Sequence, residues 1–170
     1  MPFESSSIRL WRSLDRPVRD RAAHAFWNDP PQEAAALAVQ EIVKLLRVRP
    51  QAFAKVPVAQ RASALAALAQ PPEALAEALL VALHLECRRE LLVDFLDALG
   101  IEHTDGLLAE DAEFPAPAGA AVRAALATLR KKHDDGAIRL YWNALWIQDP
   151  ERWAALADSV DELGEAAGAG

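Results

Sequence analysis

Apolar side chains recur at helical spacing along most of the chain, in segments fenced by proline. The clearest case is Leu91, Leu92, Phe95, Leu96 and Leu99, with Gly100 just beyond. A helix turns once in about 3.6 residues, so positions i, i+3, i+4 and i+7 share one face. A glycine after the last of them is a common left-handed helix stop. Val39, Ile42, Val43 and Leu46 repeat the pattern, as do Val122, Ala125, Leu126 and Leu129, and Ile138, Tyr141, Trp142 and Leu145. A half-buried strand needs strict alternation instead, and these stripes do not alternate. Residue usage points the same way: 37 Ala and 24 Leu stand against 10 Val, 5 Ile and 2 Thr. Ala and Leu lose little freedom in a helix, whereas β-branched side chains are crowded there. The chain is therefore read as all-α.

The breaks set the pieces. Ser7 reads as the cap of a short turn to Leu14. Asp15, with Pro17 behind it, opens a helix to about Asn28. Asp29 with Pro30 and Pro31 opens another, to about Leu46. Residues 50–56 read as a connector with one turn around Phe53, and a helix follows from Pro57 to Ala69. Residues 72–99 contain neither Pro nor Gly. They read as two helices broken near His84 to Arg88, because globular helices rarely run so long. Residues 100–117 are the longest non-helical stretch, with a turn at Asp105-Gly106. Helices then run to about Lys132, from Asp134 or Asp135, and from Asp149-Pro150. The expected architecture is an irregular bundle of roughly seven to eight helices in antiparallel hairpins. It forms one domain over 1–163, and 164–170 form a fraying tail. Leu92, Phe95, Leu96, Leu126, Leu129, Tyr141 and Leu145 are expected in the core.

Charge narrows the partners. The 170 residues carry a net charge of −7. Residues 1–61 hold 10 Lys/Arg and 6 Asp/Glu, and residues 62–170 hold 8 and 19. Phosphate binding needs a basic footprint, so nucleic acid is not an expected partner. No apolar run is long enough to span a bilayer, and Met1 to Trp11 has no signal-peptide pattern. A soluble, cytoplasmic protein with no membrane association is expected. Arg9, Arg12, Arg16 and Arg19 are spaced at helical intervals, with Trp11 among them. They are candidates for a partner-binding face, as is Trp146. The competing reading pairs the arginines with acids of the same chain and puts the tryptophans in the core.

Chemical signatures are few. The seven glycines make no phosphate-cradling loop. There is no zincin motif, no nucleophile elbow and, with one cysteine, no thiolate zinc set. The densest segment is His84 to Glu90. On a regular helix His84, Cys87 and Arg88 would share a face, where Arg88 could favour a thiolate and His84 could act as its base. A metal reading adds His103 and Asp105 to His84. Against both stands burial: Cys is among the most enclosed residue types, and Leu83, Leu85, Leu91 and Leu92 surround Cys87. Its sulfur is accordingly expected to face the core and to label slowly. No cofactor is expected. The favoured function is a non-enzymatic protein-interaction or scaffold module. The alternatives are a thiol- or metal-dependent enzyme centred on His84, Cys87 and His103, and a regulator that holds a small apolar ligand between helices.

Overall fold

Three helices begin on side-chain caps that the sequence announces. In the computed structural model, which describes residues 3–163, Ser6 caps α1 (Ser7–Ser13) by accepting from the Arg9 N–H. Asp15 caps α2 (Arg16–Phe26) by accepting from Val18, and Asp134 later caps α8 by accepting from Ala137. Each oxygen satisfies a backbone donor that the first helical turn leaves open. The cap of α1 is thus Ser6 rather than Ser7.

Proline starts the next three helices in another way. Pro31, Pro57 and Pro72 are themselves the N-caps of α3 (Gln32–Leu46), α4 (Val58–Ala67) and α5 (Glu73–Ala82). Their ψ angles lie near 140°, and their carbonyls accept the first helical hydrogen bonds, from Ala35, Arg61 and Ala76. A proline cannot donate, so it loses nothing in that position. A 3₁₀ segment, Pro50–Lys55, fills the connector around Phe53.

The 28 residues after Pro71 do break: α5 runs into a π-helical turn, Leu83–Cys87, and the backbone leaves the helix at Arg88 (φ −136°) before α6 (Arg89–Leu99). The apolar stripes explain why. Leu75 and Leu91 are 16 residues apart, so one straight α-helix would set them about 160° apart. No single face could serve both stripes. Gly100 then ends α6 at φ 67°, in the left-handed region. Residues 100–118 are not helical, and α7 (Gly119–Leu129), α8 (Asp135–Gln148) and α9 (Ala154–Ser159) follow, with a 3₁₀ turn at Val160–Glu162. The last helix begins after turns at 150–153 rather than at Pro150. No strand occurs among the described residues, and the fold is all-α. The expected tail, 164–170, lies outside the described residues.

The chain divides into two compact units, the first Ser6–Cys87 and the second residues 3–5 with 88–163. In the first, α2 packs on α4 and α5, α3 on the same two, and α1 on α5. Trp11, Phe26, Ile42, Leu65, Leu75, Leu79 and Leu83 form its centre. In the second, α7 packs on α6 and α9, and α8 on α9. Phe95 sits among the rings of Tyr141, Trp142 and Trp153 at 5.6, 5.9 and 5.8 Å between centroids. Of the expected core residues, Leu92, Phe95, Leu96, Leu126, Leu129 and Tyr141 are buried. Leu145 is only half-buried, because it falls in the last turn of α8, where Trp146 and Ile147 are also partly open. Burial pushes the Tyr141 hydroxyl well above its ordinary pKa.

Candidate functional site

One concavity of the first unit is a groove built on α5. Ala74, Glu77, Ala78, Val81 and Ala82 line it, at positions i, i+3, i+4, i+7 and i+8 of one helix face. Leu85 and Glu86 extend that wall into the π turn. The opposite wall comes from Ala25 and Phe26 at the end of α2 and from Glu33 and Ala34 at the start of α3. Alanine at so many facing positions keeps the walls thin and leaves about 400 Å³ between them.

What sets α5 apart is that it is apolar almost all round. Leu75, Leu79 and Leu80 are buried on one side. Ala78, Val81 and Ala82 on the groove side remain half-exposed, as does Leu85 beyond them. A helix that is apolar on every face is normally enclosed on every face. The rim is acidic: Asp29, Glu33, Glu77 and Glu86 line the groove, and among the described residues no Lys or Arg does.

A second, more polar hollow of about 550 Å³ adjoins it, sharing Ala25 and Glu86 and lined also by Asp20, Arg21, His24, Asn28, Val58 and Cys87. Here the expectation for Cys87 is overturned. The thiol is exposed, with its sulfur 4.0 Å from the Arg21 carbonyl oxygen. The regular helix that would have turned it inward is replaced by the π turn. The wider pitch separates residues that a 3.6-residue period would align. His84 is buried instead, with Nδ1 2.8 Å from the carbonyl oxygen of Leu80 one turn back. Within this unit the histidine that lines the same hollow as Cys87 is His24, which the sequence presents as an ordinary helix residue.

His103 and Asp105 belong to the second unit, and both hold a turn in place. His103 Nε2 lies 3.1 Å from Asp97 Oδ1, and its Nδ1 accepts from the Gly106 N–H at 3.1 Å. Asp105 accepts from Arg89 at 2.7 Å. Among the described residues no group of three or more His, Cys, Asp or Glu side chains is placed to hold a metal ion.

The arginine series is not one helical face, because Leu14 and Asp15 adopt extended backbone between α1 and α2. Arg16 pairs with Asp20 at 3.1 Å and donates to the Ser63 carbonyl at 3.0 Å. Arg9 and Arg12 are exposed and Arg19 is half-buried. Trp11 is fully buried and donates its indole N–H to the Leu68 carbonyl at 2.8 Å, so it is a core residue and offers no docking face. Trp146 is half-buried against Phe3, 6.0 Å between ring centroids. Among the described residues no helix is long and apolar enough to cross a membrane.

Comparison with protein-family models, curated proteins and solved structures finds no match.

Proposed function

We propose that the first unit is a protein-interaction module whose groove takes one amphipathic helix with a small apolar face and Lys/Arg on its flanks. The reading rests on α5, a helix apolar apart from Glu73 and Glu77, whose outer face is one half-open wall of an acid-rimmed groove. An incoming helix would bury that wall, as helices laid in grooves do at i, i+3, i+4 and i+7 positions. The carboxylates of Asp29, Glu33, Glu77 and Glu86 would select basic flanks and repel acidic ones.

The test uses the full chain and a synthetic amphipathic helix of Leu and Lys, with a Leu/Glu peptide of the same pattern as control. Calorimetry is expected to show binding of the first peptide and not the second. Ala78→Trp, which fills the groove, is expected to weaken binding by about tenfold or more. Binding that Ala78→Trp leaves unchanged would mean that the peptide responds to net charge alone, and the reading fails.

A thiol-dependent activity is the second reading, favoured by the exposure of Cys87 in a hollow shared with His24 and Glu86. The histidine of such a site is His24, in place of His84 or His103. Cys87→Ala separates the two readings, since it leaves peptide binding intact and removes any thiol chemistry.

A further inference from the structure

The non-helical segment after α6 combines a rigid root with an apolar, acidic tip. Thr104 and Leu107 exchange backbone hydrogen bonds at 2.8 and 3.0 Å. The two residues between them, Asp105 and Gly106, have φ angles of 51° and 83°. That is the geometry of a type I′ turn, which Asp-Gly favours because both positions need positive φ. His103 accepts from the Gly106 N–H, Arg89 grips the Asp105 carboxylate, and Gly106 is seated so closely on α6 that a Cβ there would lie 3.2 Å from Leu92 Cβ. The far end is held too: Phe114 packs on Trp153 at 5.8 Å, and the Arg152 guanidinium lies 4.7 Å over the Phe114 ring.

Between these anchors the chain exposes what it would ordinarily bury. Leu107 is 47% exposed and Leu108 is 38% exposed. Around them, residues 102–113 carry five carboxylates and no Lys or Arg. Glu110, Asp111 and Glu113 are all exposed. A turn fixed at its base loses little conformational freedom on binding, which lowers the cost of association.

We infer that Leu107 and Leu108 form a preorganised docking epitope for a partner protein that offers an apolar pocket ringed by Lys and Arg. Charge decides among the occupants. An anionic membrane surface or a nucleic acid would repel the five carboxylates. The groove of a second copy is rimmed by acids and repels them as well. A basic-rimmed protein pocket satisfies both the leucines and the carboxylates.

The experiment places a benzophenone amino acid at position 108 of the full chain, with the same label at exposed Thr128 as control. Irradiation in the native cells is followed by purification of the protein cross-linked from 108 and measurement of its affinity for the full chain. The expected partner presents a basic-rimmed apolar surface. Leu107→Ser with Leu108→Ser is expected to weaken it by about tenfold or more, while circular dichroism shows the chain still folded at the assay temperature. Glu110→Gln with Asp111→Asn is expected to weaken it less and to flatten its salt dependence. The inference is overturned by the absence of a product specific to 108, by a lipid or nucleic-acid product, or by affinity that survives loss of the leucines. These variants lie in the second unit, so their failure leaves the groove reading of the first unit standing, and the reverse.

Discussion

Replacing Phe95 by Ala tests the packing of the second unit most directly. The ring is fully buried and touches three other aromatic rings, with Tyr141 edge-on at 89°. Truncating a buried Phe to Ala costs about 3–5 kcal/mol, as lost transfer energy plus the cavity left behind. Aromatic pairs add roughly 0.5–1.5 kcal/mol beyond their buried area. Large rigid rings such as Trp142 and Trp153 cannot slide inward to close the hole, so the upper half of the range applies, about 4 kcal/mol. For a chain of 170 residues that is a fall of roughly 8–16 °C in melting temperature. Urea titration followed by tryptophan fluorescence and by circular dichroism is the assay. Phe95→Leu keeps most of the volume and is expected to cost about 1–2 kcal/mol, which holds the comparison in range if the alanine variant is largely unfolded. A loss below about 1 kcal/mol for Phe95→Ala would refute the four-ring core.

Cys87 in the folded protein is expected to react with a thiol reagent nearly as fast as after unfolding, since it is exposed; strong protection in the native state would restore the buried placement. Trp11→Phe removes the indole hydrogen bond to Leu68 while keeping most of the apolar volume, and is expected to cost about 1–3 kcal/mol in urea titration because the carbonyl loses its donor. Asp94 accepts from both Lys132 and His133 at 2.8 Å. Burial raises its pKa, but those hydrogen bonds and charges outweigh burial and hold it below the usual 3.8. A depressed carboxylate contributes stability above its unfolded pKa and loses it as pH falls through the folded one. Asp94→Asn is therefore expected to cost about 1 kcal/mol at neutral pH and progressively less as the medium is acidified below the usual carboxylate pKa. An equal cost at every pH would remove the charge from the explanation.

Much of the fold is legible because its determinants are local. The side-chain caps at Asp15 and Asp134, the stop at Gly100 and the turn at Asp105-Gly106 each depend on a few neighbouring residues. Helix starts behind proline are less sharply encoded, since proline suits both the cap and the first turn. The structure puts Pro31, Pro57 and Pro72 in the cap. The burial of Trp11 is hidden from the sequence for a different reason. It depends on Leu68, 57 residues away, and no local pattern encodes that contact.

The groove was within reach of the sequence, whereas the exposed thiol was not. Glu77 is the one charged residue from Ala74 to Ala82, so the apolar character of α5 on both sides is a count anyone can make. What the count lacks is the facing wall, because Asp29, Glu33 and Ala34 reach the groove only through the packing of α3 on α5. For Cys87 the surrounding leucines pointed inward, and on a continuous α-helix they would have carried the sulfur with them. The two apolar stripes, however, are out of phase across the segment that contains it. Such a conflict can be resolved by a kink, a loop or a π turn. Here a π turn over Leu83–Cys87 is followed by non-helical backbone at Arg88 (φ −136°, ψ 29°), which re-aims α6 relative to α5. The same turn places His84 inside and Cys87 outside, three residues apart, where regular spacing would have put them together. The residues that read as a catalytic pair are thus separated by the change of pitch that lets both leucine stripes be buried.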